Sequence, residues 1–105
     1  MKLDIDVNGH EARAVLAEKR LDAATAVEFR REILAVVPDP ASHLKLDLSA
    51  VTFIDSSGIG ALVSLLKAVG REGQLELCGV QDAVMSVFEM THMNRVFTFK
   101  PSIED

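Results

Sequence analysis

Leu46-Asp47-Leu48-Ser49-Ala50-Val51-Thr52-Phe53-Ile54-Asp55-Ser56-Ser57-Gly58-Ile59-Gly60-Ala61-Leu62 is an alternating, largely apolar run that stops at an acid and two hydroxyls where a helix should begin. Asp55 or Ser56 is suited to cap that helix, because a side-chain oxygen there can accept an orphan backbone N–H of the first turn. Either way Ser56 stands at a strand-to-helix corner, exposed and chemically addressable. Downstream, Ile59, Leu62, Val63, Leu66 and Val69 follow the i, i+3, i+4, i+7, i+10 stripe of a helix with one apolar face, and Gly70 and Gly73 bracket its exit.

Upstream of this corner, Leu3, Ile5 and Val7 alternate with polar neighbours as in a strand with one wet face. Asn8-Gly9 is a hairpin signal leading to a second strand over Glu11 to Ala17. After Leu21, Asp22 can cap a helix, and Thr25 with Glu28 offers a capping box one turn later. Ala26, Phe29, Ile33 and Val36 supply that helix's apolar face, and Pro38-Asp39-Pro40 ends it. His43 to Leu48 reads as a third strand with its leucines on one face, and Gln74 to Cys78 as a fourth. Val84, Val87 and Phe88 then mark a short helix, Val96-Phe97-Thr98-Phe99 a closing strand, and Pro101 to Asp105 a frayed tail. The expected fold is α/β: a single domain over residues 1–105 with a mixed four- to five-stranded sheet, an N-terminal hairpin and helices packed on the sheet. Its later strands can be parallel because each crossover contains a helix, and one sheet face should be partly open.

Composition narrows the function. Apolar residues at 49% and charged residues at 26% suit a globular chain. Eleven basic against sixteen acidic residues give a net charge of −5, with no run of Lys or Arg to make a phosphate-binding stripe, so nucleic-acid binding is disfavoured. Acids interrupt the N-terminus where a signal peptide needs its apolar region, and no apolar run approaches the ~18 residues of a membrane span, so a cytoplasmic protein without direct membrane insertion is expected. Cys78 stands alone as a small buried hydrophobe.

Familiar chemistries fail on spacing. Gly58-Ile59-Gly60 lacks the Gly-Lys-Ser/Thr of a P-loop and has Val63 where a dinucleotide loop needs its third glycine. Ile54 stands where a nucleophile elbow needs glycine, so a catalytic role for Ser56 lacks its local geometry. His10, His43 and His92 are too scattered to suggest a metal site, and no cofactor is implied. Asp47 belongs on the polar side of its strand rather than in a carboxylate pair with Asp55. Met85, Met90 and Met93 suit core gap-filling better than an adaptable contact surface.

The longer pattern resembles the signature of STAS domains, specifically the free-standing bacterial anti-sigma factor antagonists. The resemblance rests on the alternating strand, Asp55-Ser56-Ser57-Gly58-Ile59-Gly60 and the apolar-faced helix after it. Leu21-Asp22 with Thr25-Ala26, and Val87-Phe88-Glu89-Met90, extend it over almost the whole chain. It implies a non-enzymatic phosphoprotein of signal transduction and transcription regulation. The unphosphorylated form would bind an anti-sigma factor that is also a serine kinase. That kinase would phosphorylate Ser56, and a PP2C-type phosphatase would reset the switch. The implied docking surface is Asp22, Asp55, Ser56, Ser57, Gly58 and Ile59. A phosphate on Ser56 would meet free N–H groups and the positive end of the helix dipole. Two departures stand out: Lys19-Arg20 where relatives carry Gly-Glu, and His92-Met93-Asn94 where a Gly-Leu turn is commoner. The alternative reading is a constitutive accessory STAS subunit of a membrane transport complex, in which the same motif packs against a transporter component.

Overall fold

The computed structural model describes residues 1–37, 43–69 and 74–104. In chain order these form β1 (Leu3–Asn8), β2 (Glu11–Leu16), β3 (Arg20–Leu21), α1 (Ala26–Leu34), β4 (His43–Asp47), β5 (Phe53–Ile54), α2 (Ser56–Val69), β6 (Gln74–Cys78), α3 (Asp82–Met90) and β7 (Thr98–Lys100). The Pro38-Asp39-Pro40 helix stop, the Gly70 and Gly73 exit and the last tail residue lie outside the described residues.

Five strands form a mixed sheet of order β1-β2-β4-β6-β7. β1 and β2 run antiparallel, and β2, β4, β6 and β7 are parallel neighbours. Register places Ala12, Leu44 and Leu75 side by side, and likewise Ala14, Leu46 and Leu77. These rows form the apolar face on which Phe29 and Ile33 of α1, Leu62 and Leu65 of α2, and Phe88 of α3 close a single core. Phe88 meets Phe97 and Phe99 edge-to-face at 5.7 and 5.4 Å, a favoured aromatic geometry that fastens β7 to α3.

The opposite sheet face is polar, as the strand alternation requires, yet it is not uniformly wet. Lys45 and Glu76, in register on β4 and β6, are only 8% and 5% exposed. His43 Nε2 lies 3.4 Å from Glu76 Oε2 and Lys45 Nζ 4.0 Å from Glu76 Oε1, so the buried carboxylate has a lysine cation and an imidazole nitrogen within reach. Such pairing is what makes a buried charge tolerable.

Several local expectations shift. The hairpin turn is Gly9-His10 and not Asn8-Gly9: Asn8 pairs with Glu11 inside the ladder, and Gly9 takes a φ of +64° at the first turn position, where a type II′ turn needs glycine. The capping box at α1 does not form. Thr25 occupies the cap position, but its hydroxyl accepts the Asp22 N–H at 3.0 Å and donates to the Arg20 carbonyl at 3.0 Å. Val36 lies beyond α1 and is exposed, while α2 buries Ala61 and Leu65 in addition to Ile59, Leu62 and Val69, leaving Val63 and Leu66 half-buried. β7 begins two residues later than expected, at Thr98, after a short 3₁₀ turn over Met93–Arg95. Met85 and Met93 pack on the core, but Met90 is exposed.

Candidate functional site

The corner at Ser56 is built by two very short strands. β3 and β5 form a parallel pair, Arg20 opposite Phe53 and Leu21 opposite Ile54. The Lys19 carbonyl accepts the N–H groups of Thr52 and Phe53 at 2.8 and 3.2 Å, and the Leu21 carbonyl accepts the Asp55 N–H at 3.4 Å. This bridge ties the loop carrying Asp22 to the start of α2. Leu21 and Ile54 point into the core, so Arg20 and Phe53 point outward.

Asp55 is the cap of α2. Its Oδ1 accepts the N–H groups of Ser57 at 2.9 Å and Gly58 at 3.1 Å, and its carbonyl accepts the Ile59 N–H at 3.0 Å. Ser56 is thereby released from capping. It is exposed, and among the described residues its hydroxyl has no hydrogen-bond partner. The arrangement corrects one expectation: a phosphate on Ser56 would not find the Ser57 and Gly58 N–H groups free, because the Asp55 carboxylate already holds them. It would still feel the helix dipole, with Asp55 as a close negative neighbour.

The other expected site residues divide by burial. Asp22 is half-buried and Ser57 exposed, and Ser57 lines a shallow groove between α1 and α2 with Ala23, Ala26, Val27 and Arg30. Gly58 and Ile59 are buried. A Cβ on Gly58 would collide with the Leu21 carbonyl oxygen and lie 2.7 Å from Ile54 Cγ1. The demand for glycine there is therefore met inside the chain, by close passage of helix over strand, and needs neither a special backbone conformation nor a partner. Asp47 spends Oδ1 on the Ser49 N–H at 2.9 Å, so Asp47 and Asp55 each serve their own local backbone.

Arg20 organises the electrostatics. Its guanidinium carbon lies 4.0 Å from the Phe53 ring centroid, a cation–π distance, and its Nε donates to Asp22 Oδ2 at 2.9 Å. That hydrogen bond from Arg20 holds the Asp22 carboxyl below its ordinary range against the opposing effect of partial desolvation; the Ala24 N–H and the Thr25 hydroxyl add to the lowering. Sequence reading singled out Arg20 only as a departure from a family pattern. The available signal for its role was the outward position of Phe53 in an alternating strand.

Among the described residues no group of three or more His, Cys, Asp or Glu converges to hold a metal ion, and no helix is long and apolar enough to cross a membrane. A family model for the STAS domain matches residues 5–105. An anti-sigma-B factor antagonist of Staphylococcus aureus is 31% identical over 72 residues, spanning 68% of this chain and 67% of that protein. One from Listeria monocytogenes is 28% identical over 81 residues, spanning 76% of this chain and 71% of the relative. The crystal structure of an anti-sigma factor antagonist from Mycobacterium paratuberculosis superposes with a TM-score of 0.84 at 23% identity, covering 99% of this chain and 88% of that one, a likeness of fold.

Proposed function

The chain belongs to the STAS domain family, and on that premise we propose that it is a cytoplasmic anti-sigma factor antagonist switched at Ser56. Unphosphorylated, it binds an anti-sigma factor that is also a serine kinase and so releases that factor's client. The kinase transfers the γ-phosphoryl group of its ATP to the Ser56 Oγ, the hydroxyl proton is lost and ADP leaves. A PP2C-type phosphatase hydrolyses the phosphoserine and restores the binding form. Asp22, Asp55 and Ser57 flank Ser56 on the docking surface, and Gly58 and Ile59 act through the shape they give the corner.

The observation that carries this reading is the division of labour between adjacent residues. Asp55 does the capping, leaving the Ser56 hydroxyl exposed and unengaged at the helix start. Phosphorylation adds about −1.5 to −2 charges beside Asp55. The fold accommodates them at the positive end of the α2 dipole, whereas a partner pressed on the corner must desolvate them. The sign of the switch follows: the fold survives and binding does not. Phosphopeptide mapping after incubation with the cognate kinase and ATP tests the acceptor. Phosphate on Ser56, lost in Ser56→Ala, is expected; modification confined to Ser57 overturns the assignment. Complete absence of modification favours instead an accessory subunit that docks constitutively.

A further inference from the structure

Beside the Ser56 corner lies an open cleft between the end of β2 and the start of α1, about 590 Å³ in volume, lined by Lys2, Glu18, Lys19, Arg20, Asp22 and Thr25 among others. Its charges are unevenly committed. Glu18 Oε2 accepts the backbone N–H of Lys2 at 2.7 Å. Asp22 is held by Arg20 through Oδ2 and by the Ala24 N–H through Oδ1. The cations are freer. Lys2 and Lys19 are exposed and have no ion partner among the described residues, and Arg20 commits its Nε while its side chain stays 59% exposed. In a chain of net charge −5, this cleft sets three cations against two carboxylates: Asp22 is paired with Arg20, and Glu18 holds only a neutral backbone N–H, so Lys2 and Lys19 leave the cleft with a net positive charge.

The walls are also fixed in place. Lys19 sits on the backbone that receives Thr52 and Phe53, the Lys2 carbonyl accepts the Ala17 N–H at 2.9 Å, and Arg20 is braced on Phe53. The backbone that carries these cations is fixed and Arg20 is held by two side-chain contacts, so Arg20 loses little freedom on meeting an opposite charge, while Lys2 and Lys19 add longer-reaching attraction.

We infer that this cleft is a docking site for an acidic polypeptide segment, and that it extends the Ser56 surface toward Lys2 as the element that selects the partner. The identity of that partner as the kinase rests on the proposed function; the charge preference does not. Arg20, already bridging Asp22 and Phe53, is where the cleft and the corner meet. A partner carrying Asp or Glu on the segment facing Lys2, Lys19 and Arg20 is favoured, and one carrying Lys or Arg there is rejected by like charge.

An amide NMR titration of the intact protein with capped hexaglutamate tests the preference without any knowledge of the kinase. Saturable shifts confined to residue 2 and residues 17–25 are expected, weakened about three- to tenfold in Lys2→Ala/Lys19→Ala. They should vanish in about 1 M salt, where the screening length falls to about 3 Å. The double variant leaves the Arg20–Asp22 contact intact, so an unchanged melting temperature should accompany the loss. Shifts spread over the surface, shifts insensitive to the double variant, or an equal response to capped hexalysine or inorganic phosphate overturn the inference. In calorimetry with the cognate kinase, the double variant should bind more weakly than wild type. Equal binding there refutes the cleft while Ser56→Asp still reports on the corner, so the two ideas fail separately.

Discussion

Gly58→Ala probes the packing beneath the functional corner. The added methyl carbon would overlap the Leu21 carbonyl oxygen and stand 2.7 Å from Ile54 Cγ1. A flexible side chain could rotate away, but the Leu21 carbonyl cannot readily move, because it receives the Asp55 N–H and belongs to the β3–β5 bridge. Relief must come from α2 lifting off the bridge. Overpacking of this kind costs about 1–3 kcal/mol, with backbone contacts at the upper end. The substitution also recovers about 1 kcal/mol of helix propensity, leaving a net loss of about 2 kcal/mol. For a domain of 105 residues that is a fall of about 8–16 °C in Tm. Gly60→Ala, two residues on in the same helix, is the internal control: its Cβ would meet nothing within 4 Å, so it should gain up to about 1 kcal/mol from propensity alone. Thermal and denaturant melts of both variants decide it. Equal stabilisation of the two would refute the claim that α2 is pressed against Leu21.

Asp55→Ala removes the acceptor for two N–H groups and should cost about 1 kcal/mol in a denaturant melt, in the range of lost helix caps. The Asp22 carboxyl should titrate below an ordinary carboxylate in an NMR pH series and move upward in Arg20→Met. Because its folded pKa lies below its unfolded one, its contribution to stability is present above the unfolded pKa and fades as pH falls through the folded one; a contribution growing on acidification would contradict the Arg20 contact. His92→Gly should raise stability by up to about 1 kcal/mol, since His92 holds a φ of +60° that a side chain makes costly.

The parts of the fold legible in the sequence were those written in periodicity. The leucines of His43 to Leu48 and the extent of β6 follow from alternation alone, and the α2 stripe was right in its Ile59, Leu62 and Val69. Leu65 escaped because the chosen stripe ran toward Val63 and Leu66, on the flank of the true buried face. The β3–β5 bridge was not legible, because two-residue strands leave no period to detect. Burial of Lys45 and Glu76 was invisible for a related reason: alternation assigns a residue to a face and is silent about what its neighbours cover. At the site, local sequence located the corner but could not choose between Asp55 and Ser56 as its cap. Which oxygen reaches the Ser57 and Gly58 N–H groups is a matter of tertiary placement, as is the Arg20 contact with Phe53. His92, flagged as a departure from a glycine-containing turn, proved to hold the left-handed backbone that glycine adopts without strain.

The central claim is that charge on Ser56 abolishes partner binding while leaving the fold intact. Calorimetric titration of the cognate anti-sigma factor kinase with wild type, Ser56→Ala and Ser56→Asp, each also melted thermally, tests it most directly. Ser56→Ala should bind as unmodified protein does, and Ser56→Asp should bind about a hundredfold more weakly or worse, a penalty of about 2.7 kcal/mol or more for desolvating a second carboxylate beside Asp55. The melting temperature of Ser56→Asp should hold or rise slightly, because the new acid sits at the N-terminus of α2. Equal affinity of wild type and Ser56→Asp for that kinase would contradict the account.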